Sequence, residues 1–479
     1  MHLLTFVAAV VAFIPFIVAS PKPWPKGNEL DPDSYDTGRV LETDVVVIGG
    51  GSVGTYAAIQ LKDQGKNILV IESKDRLGGH TETFTDPESG LPIDMGVKLY
   101  HDEPHVYEWY NRFNLSLSRI QFSLTGGTSQ NVDFRTGQIL QGLPAGNQTA
   151  VSAALQRYAA VLQKYPQLDD GFYLPEPVPE DLYMPFGQFV QKYNIGDAVP
   201  FIFGITSAFG DILELPALQQ IRTLSLSLLA TLDNFQTSSV SNNSLLFEKA
   251  AIELLAAKSL LLSTEVLATE RVSESGDVKV LVNTPDGRKL IVAKKILITI
   301  PPTPAALELF DTNQEELDIF GQLQGVGYYT SIIRNAGPVN ITVNNIAIDK
   351  PYALASLPGI YNVNPTVNPS LTQVFYGTKV GQVLSDDEAK AAIIADLKRY
   401  QAANGLEATE PEFVAFSNHS PCNLLVGSEA TKSGFYEKLY ALQGKRNTFW
   451  SGATWRAHDS SASWRFTKDK VLPALVATL

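Results

Sequence analysis

Read from the amino terminus, the apolar positions fall into segments of different period, and each period predicts a different element. The run from Leu3 to Val18 is apolar, is interrupted by Pro15 and closes on the small residues Ala19 and Ser20. It predicts a secretory signal peptide over residues 1–20, cleaved near Ala19 or Ser20, more readily than a membrane span. His2 is the only potentially basic side chain ahead of it, so an uncleaved signal anchor is the alternative. Residues 21–42 hold Pro21, Pro23, Pro25 and Pro32, too much punctuation for a helix or a central strand, and predict a linker.

The β-branched run from Asp44 to Ile48 predicts a buried parallel strand, Ser52 to Gln64 a helix and Asn67 to Glu72 a second strand, together a βαβ unit. Residues 105–245 carry helical periodicity, as in the stretch 150–165, with proline-rich breaks such as 174–185. Alternation returns over 277–302, where Pro285, Asp286 and Gly287 make a turn between two strands. Strand signals dominate again from Tyr328 to Val383. The expected architecture is α/β: a Rossmann-type domain built from residues 43–104, 246–305 and 415–479. It is interleaved with an α+β substrate domain whose segments are helical, 105–245, and strand-rich, 306–414.

Composition narrows the class. With 44% hydrophobic and 18% charged residues this is an ordinary globular chain, long enough to rest on its core. The single cysteine, Cys422, cannot form an intrachain bridge. A net charge of −13 repels a phosphate backbone and argues against nucleic acid as a partner. Sequons at Asn114, Asn147, Asn242, Asn340 and Asn418 are available for N-glycosylation of a secreted protein. No metal ligand set is assigned.

The chemistry begins at Gly49, Gly51 and Gly54, a G-x-G-x-x-G set between the first strand and the helix. Gly49 permits the tight turn, Gly51 lets a pyrophosphate approach the backbone, and Gly54 lets helix and strand pack closely. The helix N-terminus offers free N–H groups and about half a positive charge to the phosphates. Glu72 ends the second strand where an acid accepts hydrogen bonds from ribose hydroxyls, which argues against a 2′-phosphate.

The segment after Glu72, with Arg76, Gly78 and Gly79 in "DRLGGH", resembles the second glycine motif of the two-dinucleotide-binding flavoproteins, in particular the flavin-containing amine oxidase superfamily. The resemblance runs through nearly the whole chain from Asp44. "IDMGVKLY" at 93–100 is similar to the family's segment near the flavin, Val266 to its adenine-contacting position, and "FWSGATWRAHDSS" to its C-terminal flavin-ring motif. The forms "LGGH", "NTFWSGA" and "HDSS" resemble those of the secreted fungal beta-cyclopiazonate dehydrogenase group. The resemblance implies FAD as cofactor, held by Gly49, Gly51, Gly54, Glu72, Arg76, Gly78, Gly79, His80, Val266, Gly452, Ser460 and Ser461. It also implies a small-molecule substrate, oxygen or another electron acceptor, and no membrane insertion once the signal is removed.

The chain departs from the family in ways that bear on the substrate. Many amine-oxidising relatives carry a lysine soon after the proline pair, yet none occurs between Lys295 and Lys350, and "GVGYYTSIIRN" takes that place. His458 to Ser461 replace the usual glycine-aromatic pattern that guides an amine. His80, where an arginine often stands, reads as a hydrogen-bond partner, a proton acceptor, a covalent attachment point or a histidine tucked against the loop. Cys422 reads as a flavin tether or a buried thiol. Trp455 is open between substrate wall and core, Trp464 is expected in the core, and residues 201–216 read as pocket lining or as core. The expected activity is hydride removal from a small, largely apolar metabolite. Double-bond isomerisation of a lipid-like substrate, true amine oxidation and a flavin-bound carrier are the alternatives.

Overall fold

The computed structural model describes residues 28–120, 129–143, 146–273, 275–338 and 340–479. The expected signal peptide and most of the proline-rich linker lie outside the described residues.

The first sheet is organised by the strand Val40–Ile48 (β1), in which Val45, Val46 and Val47 are fully buried. β-branched residues suit a strand covered on both faces. The chain then forms the helix Ser52–Asp63 (α1) and the strand Ile68–Ile71 (β2), which pairs parallel to β1 with Ile48 opposite Ile71. β1 begins four residues earlier than the β-branched run suggests, because Val40 already pairs with Leu290 of the strand Gly287–Ile298. The linker boundary at residue 42 therefore falls inside a strand.

Sheet order runs Glu265–Glu270, Val278–Thr284, Gly287–Ile298, β1, β2 and Leu260–Leu261, with Thr448–Trp450 added parallel to Ile296–Ile298. Three distant parts of the chain thus build one sheet. The hairpin at Pro285 and Asp286 closes with Thr284 opposite Gly287.

A second, eight-stranded sheet carries Gln324–Arg334, Leu371–Val380 and Gly359–Pro365 near its centre. Its other side reaches back in sequence, since Ser129–Asp133 pairs parallel to Thr342–Asn345. Residues 105–245 are therefore not wholly helical, and part of that segment belongs to the same sheet as the strand-rich one. The helix Asp386–Ala403 packs on this sheet through Ala389, Ile393 and Leu397. No helix among the described residues is long and apolar enough to cross a membrane.

Candidate active site

The two sheets border one continuous cavity of about 1320 Å³, larger than the roughly 300–1,000 Å³ that single small ligands occupy. One end opens on the glycine turn between β1 and α1. The three glycines there are bare for different reasons. Gly49 has φ +99°, and a Cβ would meet Ile300 at 2.7 Å. A Cβ on Gly54 would stand 1.9 Å from the Gly49 carbonyl oxygen, so helix and strand could not pack. At Gly51 a Cβ would meet nothing closer than the Gly79 Cα at 4.0 Å, and its φ of −65° suits any residue. Nothing in the protein requires glycine there. The bare position faces the cavity at the N-terminus of α1, where no side chain caps the helix, so its free N–H groups are left for an anionic ligand.

Glu72 lies at the same end, buried at 8% exposure. Its carboxylate accepts from the Gly50 amide at 2.7 Å and the Lys74 amide at 2.8 Å. A carboxylate has about four lone-pair sites, so capacity remains for ribose hydroxyls. Arg76 does not reach the cavity wall: it donates to the Gly79 carbonyl at 3.1 Å and pairs with Glu82 at 3.0 Å, fixing the 78–82 loop from behind. Gly78 also faces away, with φ +103° and room for no Cβ beside the Thr81 carbonyl at 2.9 Å. Gly79 and His80 do line the cavity.

The C-terminal motif closes the same region. Gly452, with φ +110°, and Ser460 line it, and Ser460 Oγ is 2.9 Å from Ser52 Oγ on α1. Ser461 instead points into the protein, its Oγ accepting from the His101 amide at 3.0 Å and its carbonyl 2.8 Å from His105 Nε2. Val266 sits on the outer strand Glu265–Glu270, packed against the core and away from the cavity wall. Of the twelve residues the resemblance implies, the cavity therefore gathers Gly49, Gly51, Glu72, Gly79, His80, Gly452 and Ser460. Gly54, Arg76, Gly78, Val266 and Ser461 stand behind that wall.

Asp459 anchors this segment. One oxygen caps the helix Ser460–Phe466 by accepting from the Ala462 amide at 2.7 Å, and the other is 2.9 Å from His101 Nε2. Burial opposes protonation of His101, but the Asp459 charge and hydrogen bonds to Asp459 and Glu103 outweigh it and raise its pKa to about 9. A raised histidine stabilises the fold fully below its unfolded value of about 6.5, and this contribution fades as pH climbs toward 9. His80, His105, His419 and His458 are all lowered, so they add stability as pH rises past the unfolded value of about 6.5, opposite in sign to His101, and only a comparison with a His101 variant separates its share. We expect the stability that the wild type holds over His101→Gln to shrink as pH rises from about 6.5 to about 9. A scanning fluorimetry series across this range checks it; an unchanged slope in the variant would contradict the pairing.

Beyond the glycine end the cavity widens into a chamber with aromatic walls. Phe201 and Phe203 come from the helix Val199–Ile205, Tyr328 from the strand Gln324–Arg334, and Tyr361 and Phe375 from neighbouring strands. Residues 201–208 thus line the pocket in part. The tryptophans do not: Trp450, Trp455 and Trp464 are at most 1% exposed and belong to the core, so a tryptophan wall for substrate is excluded. Trp464 donates to Ser52 Oγ at 3.0 Å and so braces the start of α1.

The chamber's imidazoles are uncharged at neutral pH. Burial lowers His80, His419 and His458, the last to about 4. His80 lines the cavity, and its ring stacks on His419 with centroids 4.4 Å apart. Cys422 also lines the chamber, and burial pushes its thiol up to about 12, which leaves it protonated and a weak nucleophile. The sequence pattern missed Lys98. No lysine comes from the strand Gln324–Arg334, but Lys98, in the loop after Asp94, reaches the chamber from another direction.

A Rossmann-type sheet with a bare glycine turn, a buried acid at the next strand end and a continuous second chamber defines a dinucleotide-binding oxidoreductase. Residues 54–458 match the family model described as flavin containing amine oxidoreductase, and the chain belongs to that family. Its cofactor is FAD, and the cradle at Gly51, the uncapped helix end and Glu72 fit that group. The chain is 40% identical over 448 residues to the FAD-dependent oxidoreductase oblC of Cochliobolus heterostrophus, covering 92% of each. It is 33% identical over 451 residues to the beta-cyclopiazonate dehydrogenase of Aspergillus oryzae, covering 93% of this chain and 95% of that one. Among solved structures it resembles the CLA-producing fatty acid isomerase from P. acnes, with a TM-score of 0.70 and 19% identity over 90% of this chain and 98% of that one. At that identity the likeness concerns the fold.

Proposed function

We propose that this chain is a secreted, N-glycosylated FAD-dependent oxidoreductase that removes a hydride from a carbon of a small, largely apolar metabolite, with oxygen as the electron acceptor. The observation that carries the reading is the continuity of the cavity from Gly51 and Glu72 to the chamber of Phe201, Phe203, Tyr328 and Phe375. One void of this size serves a dinucleotide and a substrate side by side. The name of the beta-cyclopiazonate dehydrogenase supports a small organic molecule as substrate.

Bound FAD supplies the hydride acceptor. The protein's part is binding, orientation and exclusion of water. The α1 N-terminus and Gly51 receive the pyrophosphate, Glu72 the adenosine ribose, and Gly79, His80, Gly452 and Ser460 the remaining length. The aromatic walls orient an apolar donor and keep the site dry. Neutral His80 and His419 hold acceptor nitrogens at the chamber, available to a proton leaving the donor as its hydride departs.

Glu72→Ala removes charge-assisted hydrogen bonds worth on the order of 1.5–3 kcal/mol. FAD affinity should weaken by about tenfold or more, measured by the quenching of flavin fluorescence on rebinding. Unchanged affinity would remove Glu72 from the ribose site. The function itself is tested on protein recovered from the culture medium: metabolite extracts are mixed with it anaerobically and the flavin band is followed. Turnover of a donor with no flavin reduction and no oxygen uptake would favour isomerisation instead.

A further inference from the structure

We propose that Lys98 is a specificity-determining residue of the chamber and binds an anionic oxygen of the substrate, a carboxylate or an enolate, beside the carbon that is oxidised. This rests on the reading of the chamber as the substrate site.

Lys98 is the only lysine or arginine among the described residues lining the cavity. It follows Gly96, whose Hα side lies so close to the His80 carbonyl that a Cβ would stand 1.7 Å from that oxygen. That approach holds the 96–98 loop against the 78–80 loop and delivers the lysine to the junction of cofactor end and chamber. Its Nζ donates to Gln373 Oε1 and lies 5.0 Å from the centre of the Phe375 ring. Gln373 is fixed in turn, donating to the Asp94 carbonyl at 3.0 Å.

An ammonium has three donors, and Gln373 takes one. The Asp94 charge favours the ammonium but makes no ion pair with it, since its oxygens accept from Thr83 Oγ1 at 2.5 Å and from the Asn243 amide and side chain at 3.0 and 2.9 Å. Lys98 takes part in no ion pair among the described residues. A charge so enclosed, with a neutral acceptor and a ring face in contact, is costly, and the Asp94 charge offsets only part of the burial that lowers it. Burial lowers its pKa to about 8, so it is charged at neutral pH and ready to discharge just above it. An anion delivered by the ligand satisfies the two remaining donors, while Phe375 and Tyr328, stacked with centroids 6.1 Å apart, offer a flat apolar surface to the carbon skeleton beside it. A flat molecule with an acidic oxygen matches both features.

The pH dependence together with the Lys98 variants isolates Lys98. Of the groups around it, Asp94 titrates near 6, His458 near 4, and His80 and His419 below their usual value. Cys422 is pushed to about 12, and the Tyr328 phenol lies above its ordinary range. Between about pH 7 and 9.5 Lys98 is the group on the chamber wall that changes charge, while His101, raised to about 9 behind the cavity-lining Asp459, also discharges in that range.

The experiment titrates the flavin-loaded protein with benzoate and with the enolate of cyclohexane-1,3-dione, each against its neutral analogue, benzamide or cyclohexanone, and reads the perturbation of the flavin band. At least one anion should bind about tenfold or more tighter than its analogue at about pH 7, and that preference should vanish by about pH 9.5. Which anion wins separates carboxylate from enolate recognition. Lys98→Gln should abolish the preference and Lys98→Arg should retain most of it. Equal binding of anion and analogue, or a preference that survives Lys98→Gln, overturns the proposal. Should Lys98→Gln fail to hold FAD, Lys98→Arg decides: its anion preference should persist at about pH 9.5, where that of the wild type is lost, and loss in both would overturn the proposal. A failure of the underlying reading is seen separately, as a chain whose visible spectrum shows no flavin before any ligand is added.

Discussion

Gly51→Val should give a folded protein without FAD. Most glycine replacements in a tight turn confound loss of ligand with loss of fold, but here the two separate. The valine Cβ has no protein atom nearer than the Gly79 Cα at 4.0 Å, and the backbone at φ −65° accepts it without strain. The isopropyl group then stands at the mouth of α1, in the space a pyrophosphate must enter to reach the helix N–H groups. Gly54→Val is the contrasting case. Its Cβ falls 1.9 Å from the Gly49 carbonyl oxygen and 2.7 Å from Thr299 Oγ1, which forces α1 off the sheet. The expected pair of results is native far-ultraviolet dichroism with a colourless chain for Gly51→Val, and little soluble protein for Gly54→Val. A Gly51→Val protein with its full flavin spectrum would mean that the dinucleotide lies elsewhere.

The second large effect concerns amines, where the family name and the chamber point in different directions. A cationic amine entering this chamber meets the Lys98 ammonium, and in a water-poor cavity like charges repel far more strongly than in bulk solvent. Nor does the Tyr328–Phe375 pair offer it a slot between two rings. Tyr328 and Phe375 lie within stacking contact of each other, at 6.1 Å and 19°, and form one wall, not two walls with a gap. The strand that brings Tyr328 supplies no lysine. Benzylamine and spermine at millimolar concentration should therefore leave the flavin oxidised in an anaerobic stopped-flow experiment. Rapid bleaching by either would return the chain to the amine-oxidising members of its family.

Legibility in the sequence followed periodicity. β1, α1 and β2 were readable because strand, helix and glycine spacing all agree over Asp44 to Glu72, and the glycine roles follow from where each residue lies along that path. The strand Ser129–Asp133 was not readable: "SQNVD" is short and polar, and it is a strand only because Thr342–Asn345 pairs with it from far along the chain. Ser461 and Val266 show a different limit. A motif places a residue near a cofactor but does not say whether its side chain faces the ligand or the core, and here Ser461 turns inward to His101 and His105. Apolar residues such as Phe203 and Trp455 look alike in a sequence, yet one lines the chamber and the other is sealed in the core. Lys98 lies in the 93–100 stretch that resembles the family's segment near the flavin, but a lone lysine after a short strand is ordinarily a solvated side chain, so the resemblance gave it no role. Only the packing of Gly96 on His80 turns it inward.

The measurement closest to the central claim is anaerobic titration of the purified, flavin-loaded protein with fractions of an organic-solvent metabolite extract, followed at the flavin absorption band. Bleaching is expected from a fraction that holds a flat, largely apolar and acidic compound, with recovery of the band when oxygen is admitted. A protein that carries no flavin, or one bleached only by fractions that hold amines, would contradict the claim.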